Sequence, residues 1–266
     1  MTVIHPLPPP RPPGRVATAA QWILFITLVG SIIYVVVQLV TATGTPDETG
    51  ERSRSDYVLM LAQCAGGLIV MFLPALATRR FQVSVPNGMQ ISYFIFLYAA
   101  IYLGEVRSFY YRIPYWDSLL HFFSGAMLGV LGFHLVRVLN DAEKRRIVLG
   151  PGFVAFFAFC FAVTCGAVWE IYEYTLDGLL ATNMQKVVTA SGEVMVGRAA
   201  LSDTMTDLIL DATSALAVTV AGYLGLRRTL WKKAHAARPD QAPDGSHAAV
   251  APAAQPVEDQ TADQLR

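Results

Sequence analysis

Charge is scarce in this sequence. Asp, Glu, Lys and Arg make up 15% of the 266 residues, against about 25% in soluble domains. The hydrophobic share is 54% and the mean hydropathy +0.43. This excludes an ordinary soluble globule and leaves an integral membrane protein. An excess of one sign is also absent: 20 basic residues face 20 acidic ones, so a nucleic-acid partner is not expected. Cysteine is limited to Cys64, Cys160 and Cys165, all in apolar runs. An odd count without framework spacing excludes a disulfide scaffold and leaves three small buried side chains. The chain has no P-loop, dinucleotide fingerprint, G-x-S-x-G elbow or H-E-x-x-H, and no internal repeat. It also lacks an A-x-A cleavage signal, so the first apolar run is expected to be an uncleaved span.

What is present is a series of uncharged runs. They place spans at 17–40, 57–78, within 81–104 (starting after Pro86-Asn87-Gly88), 118–136 and 147–169, each near the ~20 residues that cross a bilayer core. The last run is different. Only 15 uncharged residues separate Asp211 from Arg227, roughly 22 Å of helix, which is too short. The sixth span must therefore begin near Leu201 and carry Asp207 and Asp211 into the membrane. The expected fold is an all-α, multi-pass bundle of six transmembrane helices over 16–230. A Pro-rich cytoplasmic N-terminus (1–15) precedes it, and a disordered cytoplasmic tail (231–266) follows.

With the N-terminus inside, 14 of the Lys and Arg residues fall on inner segments and 6 on outer ones. That asymmetry puts both termini in the cytoplasm of a bacterial inner membrane. The same orientation sends every unusual acid to the outer ends of four spans. Asp117 and His121 lie four apart at the head of one helix, hence on one face. Glu170 and Glu173 close another apolar run, where a helix C-terminus would oppose their charge. Asp203, Asp207 and Asp211 open the last. Each has a plainer explanation: Asp117 and Asp203 as helix caps, Glu173 as a side chain reaching the headgroups, His121 as a hydrogen-bonded core residue. Six acids and one imidazole in low dielectric nevertheless need protons or a cation.

Carboxylates with one or two His from facing helices suit Mn, Fe, Zn or Mg. The expected metal ligands are Asp117, His121, Glu170 and Asp207, with Glu173 or Asp203 as general base. Glu105, Asp211, Gln185 and Lys186 are further pocket candidates. The segment from Tyr174 to Ala200 is expected to be a long loop whose apolar stretch dips back over the pocket.

The stretches G-E-V-R-S-F-Y-Y-R-I-P-Y-W-D-S-L-L-H-F-F-S-G, W-E-I-Y-E, N-M-Q-K and D-T-M-T-D-L-I-L-D resemble the YjdF family of bacterial inner-membrane proteins. More distantly, the arrangement is similar to VanZ-like proteins. The first resemblance implies a multi-pass membrane protein, and the second a cell-envelope role tied to glycopeptide tolerance. Carried over by position, the shared residues are Glu105, Asp117, His121, Glu170, Glu173, Gln185, Lys186, Asp203 and Asp207. Three readings follow: a metal-dependent enzyme acting on a lipid or envelope substrate from the bilayer, a proton- or cation-coupled transporter, and a structural partner in an envelope complex.

Overall fold

The computed structural model describes residues 13–41, 52, 54–81, 84–140, 149–189 and 191–236. Most of the Pro-rich segment and the tail beyond Ala236 lie outside them. The described residues form α1 (Arg15–Thr41), α2 (Arg54–Val70), α3 (Leu73–Phe81), α4 (Asn87–Leu97) and a π-helical segment (Tyr98–Val106). There follow α5 (Phe109–Arg112), α6 (Trp116–Asn140), α7 (Pro151–Leu180) and α8 (Arg198–Ala236). α2 and α3 form one span, as do α4 and the π segment. Six helices are thus long and apolar enough to cross a membrane. α8 runs on through 231–236, which the sequence had assigned to the tail. By contacts, residues up to Arg227 form one compact unit and those from Arg228 a second.

Two packing regimes hold the first unit together. α1, α2 and α4 with its π segment share an apolar core of Leu24, Leu28, Cys64, Met71, Phe94, Leu97 and Ile101. The later helices instead approach through small residues. A Cβ on Gly132 would lie 2.7 Å from the Ala158 Cα, and one on Gly125 would lie 2.7 Å from the Asp211 Cα. Lipid gives helices no hydrophobic reason to associate, so close backbone approach is what holds such crossings. Outward faces stay apolar: Ile26, Phe156 and Ile171 are all more than 60% exposed, as a lipid-facing surface requires.

The second span breaks at Met71-Phe72 because of Pro74. A proline has no N–H to give the carbonyl four residues back, which here is that of Val70. The Tyr93 hydroxyl of α4 donates to this carbonyl at 2.7 Å. An unpaired carbonyl at membrane depth costs several kcal/mol, so a neighbouring helix supplies the donor. Tyr93→Phe leaves that carbonyl unpaired and is expected to cost about 2–3 kcal/mol, the upper part of the range for a buried acceptor stripped of its donor. In a Pro74→Ala background, where the backbone can bond Val70 itself, the loss should shrink toward zero. A double-mutant cycle on thermal unfolding in detergent measures the difference.

Two sequence expectations are corrected. α7 does not end near Trp169 but continues to Leu180, so Glu170 and Glu173 sit inside a helix and no helix terminus opposes their charge. The sequence misleads here because Asp177-Gly178 reads as a turn. In the structure the loop is 181–197, shorter than the expected 174–200. The Asp177 carboxylate builds it, accepting from Thr182 Oγ1 (2.7 Å), Met184 N (2.6 Å) and Gln185 N (2.9 Å). Ala181, at φ 51°, closes α7 in the left-handed conformation.

Candidate functional site

His121 is the hub. It lies one turn into α6 and is 6% exposed. Its Nδ1 is 3.1 Å from Asp211 Oδ2 on α8. The other Asp211 oxygen accepts from Ser124 Oγ, one turn along α6, at 2.8 Å. A carboxylate on Nδ1 favours a proton at that nitrogen, the arrangement that orients an imidazole whose Nε2 is to meet a metal. Nε2 lies 3.6 Å from Glu170 Oε1 on α7 and 3.9 Å from Asp117 Oδ1.

Asp117, His121 and Asp207 each present a ligand atom within 4.8 Å of the others. Two ligands of one ion sit about 4 Å apart, so a modest inward movement would bring these atoms to metal-ligand spacing. Glu170 is 5% exposed, and its Oε1 has no hydrogen-bond partner. A buried carboxylate oxygen left unbonded is costly unless a proton or cation meets it.

The glycines explain why these groups converge. A Cβ on Gly166 of α7 would lie 2.5 Å from Asp211 Oδ2, and one on Gly125 would lie 2.5 Å from the Asp211 carbonyl oxygen. Two helices thus close on Asp211 only because both present glycine there, and Asp211 is 1% exposed.

A second charged pair stands beside the first group. Lys186 Nζ is 2.8 Å from Glu105 Oε2, and it also lies 4.8 Å from the centroid of the Tyr110 ring. Burial would lower the Lys186 pKa, but Glu105, Tyr111 and Asp117 together outweigh it and raise the value. Lys186 reaches inward from a backbone at φ 53°, a conformation rarely adopted by side chains of its size. Glu105 is carried by the π segment, which ends at Val106 and so leaves its last carbonyls beyond the helical ladder. Arg52 supplies donors, with Nη2 at 3.3 Å from Glu105 O and 2.9 Å from Val106 O, and it also bonds Ser108 Oγ. Tyr110 packs on Gly104. Burial pushes its hydroxyl pKa well up, with Asp117 and Glu105 adding to the effect.

The remaining candidates separate. Glu173 is buried and lines the same cavity as Asp117, His121 and Lys186. Asp203 is half-buried one turn before Asp207 on α8; like Asp207 and Glu170, which stand beside His121, it does not line that cavity. Gln185 is tied to α8 by Nε2 donating to Thr204 Oγ1 at 3.2 Å, so it braces the loop. Ser124, Tyr110, Arg52 and Asp177 had not been singled out. Ser124 alone offered a signal, three residues beyond His121 on the same helix face.

Residues 20–228 match a family described as "Predicted membrane protein (DUF2238)". A protein of Thermotoga maritima, described as uncharacterized, is 32% identical over 124 residues. The match covers 46% of this chain and 54% of that protein, so the chain spans about half the length of the curated relative it matches. No solved structure matches.

Proposed function

We propose, for a chain that belongs to the DUF2238 family of predicted membrane proteins, a divalent-metal enzyme that cleaves an ester in a lipid or envelope substrate. Within that family we read the Gly104 to Gly125 block as YjdF-like. The observation that carries the proposal is the set Asp117, His121 and Asp207, with ligand atoms mutually within 4.8 Å, beside the unpartnered Glu170 oxygen. Mn, Fe, Zn or Mg bound there would polarise a phosphoryl or acyl oxygen and acidify a water. Glu173, on the wall of the same cavity, would be the base that takes a proton from the attacking water as its oxygen bonds to phosphorus or carbon, and would return that proton to the oxygen of the ester bond that breaks. Asp203 stands further out as the alternative base. On our reading this chemistry faces the outer side of a bacterial inner membrane, with both termini cytoplasmic, which the Lys and Arg asymmetry supports.

A proton- or cation-coupled carrier is the competing reading, favoured by the acidic stripe Asp203, Asp207 and Asp211 down α8. It needs a relay that continues past Asp211. The next buried polar groups on α8 are Ser214 and Thr219. Their hydroxyls donate to the carbonyls of Asp211, Ala215 and Leu216 on their own helix. Among the described residues of α8 the titratable stripe therefore stops at Asp211.

The test is metal per chain, by mass spectrometry on gently purified protein. His121→Ala and Asp207→Ala should each reduce bound metal about tenfold or more, and the double variant no further, since ligands of one site act as a unit. Asp117→Asn should lose metal while the metal-free protein stays within about 1 kcal/mol of wild type, because Asp117 is the second residue of α6 and the charge lost there is worth only ~0.3–1 kcal/mol to the helix. A wild type that takes up none of Mn, Fe, Zn or Mg would refute the proposal.

A further inference from the structure

A cavity of about 570 Å³ runs from the charged groups into the bundle, within the ~300–1,000 Å³ typical of small-molecule sites. Its polar end holds Asp117, His121 and Lys186, and its deep end is walled by Val70, Leu97 and Leu128. Along α6 it extends from Asp117 to Leu128, roughly 16 Å at ~1.5 Å per residue, about half of a ~30 Å hydrocarbon core. The wall is open to the side. Val168 and Trp169 line the cavity and yet are 58% and 46% exposed on the outer face of α7. A water-soluble substrate has no use for a long apolar sleeve with one charged end and a lipid-side opening. An amphiphile uses all three features.

We infer that the occupant is a long-chain lipid phosphate, its chain in the sleeve and its phosphate at the Asp117–His121 end, where an Asp207 carboxylate oxygen stands within 4.8 Å of both. The inference rests on the metal reading above. Without a cation the carboxylates would repel a phosphate. With one, hard divalent ions held by few carboxylates complete their shells with phosphate oxygens. Lys186 stands at the same end, with its charge already held by Glu105. It therefore contributes position, and the ion contributes most of the attraction.

Gly66 gives a clean way to close the sleeve. It lines the cavity, and a Cβ built on it meets nothing within 4 Å. Gly66→Leu should fill the sleeve without a clash and, lying within α2, without loss of stability. Its neighbour Gly67 would not serve, because a Cβ there would lie 2.5 Å from Ile101 Cδ1.

The experiment measures binding of hexadecyl phosphate to the full-length protein in detergent with Mn²⁺. Butyl phosphate and hexadecanol serve as comparison ligands, and wild type, Gly66→Leu and His121→Ala as the proteins. Hexadecyl phosphate should bind wild type at least about tenfold tighter than either comparison ligand, since each lacks one half of the recognition. Gly66→Leu should lose about tenfold or more while keeping its metal and its Tm, and butyl phosphate should bind it as it binds wild type. His121→Ala should lose both metal and hexadecyl phosphate. Equal binding of hexadecanol overturns the phosphate assignment, and equal binding of butyl phosphate overturns the sleeve. Undiminished binding to a metal-loaded Gly66→Leu variant also overturns the sleeve. Hexadecyl phosphate binding that persists in metal-free protein but is lost in Gly66→Leu sinks the metal reading and leaves the sleeve standing.

Discussion

Lys186→Met should lower the stability of the folded protein by about 3–5 kcal/mol, the range for removing one partner of a buried ion pair. The Glu105 and Lys186 side chains are 4% and 13% exposed, with 2.8 Å between their charged atoms. The substitution leaves a carboxylate buried among Tyr110, Gly104 and the π segment with its cation gone. Met keeps most of the apolar stem, so the loss reports the charge and little of the packing. Lys186→Met with Glu105→Leu should recover most of it, because replacing both members of a buried pair with apolar groups is often neutral. Unfolding in detergent, followed by tryptophan fluorescence, measures both. A single variant as stable as wild type would mean that the pair contributes nothing to the fold.

Gly125→Val is the second large effect, at about 3 kcal/mol, the upper end for overpacking. Its Cβ would press on backbone atoms of Asp211, the carbonyl oxygen at 2.5 Å and Cα at 2.7 Å, as well as on Ser214 Oγ. Backbone atoms of a packed helix cannot turn aside as a long side chain can. α8 must therefore move away from α6 and carry Asp211 off His121. Gly30→Ala on α1 is the matched control, since its Cβ meets nothing within 4 Å. It should be neutral or stabilising by up to about 1 kcal/mol. Gly125→Val should also bind metal less well, which a loss confined to global stability would not produce. Comparing metal per chain at a temperature where both variants are folded separates the two.

Much of the fold was legible because lipid imposes a length on apolar runs and charges punctuate them. The depth of Asp207 and Asp211 followed from a run too short to cross the membrane. Other features left no local trace. The π segment is built from residues that suit an α-helix equally well. The end of α7 was misplaced because Asp177-Gly178 has turn chemistry, which the protein uses one turn later to build the 181–197 loop.

The candidate site was legible as a set of residues, and its geometry was not. The sequence grouped Glu170 with the ligands and set Asp211 among the extras. Gly125 and Gly166 determine that Asp211 reaches Nδ1 of His121, and no spacing along the chain expresses that. Lys186 and Glu105 are 81 positions apart and meet through a loop folded by Asp177.

The length of α7 has a consequence for where a reaction here would take place. Its 30 residues measure about 45 Å, some 15 Å more than a typical hydrocarbon core. Such a helix must tilt or stand proud of the bilayer. Glu170 lies about 15 Å from its Leu180 end at ~1.5 Å per residue, so the surplus equals the stretch above the acids. In a helix that stands proud, the upper turns of α7, the 181–197 loop and the first turns of α8 would form a collar at headgroup height. Water would reach the carboxylates from inside this rim while an occupant's chain stays dissolved in the membrane. Turnover on that plan proceeds at the boundary of two phases, and no lipid has to be lifted out of its leaflet.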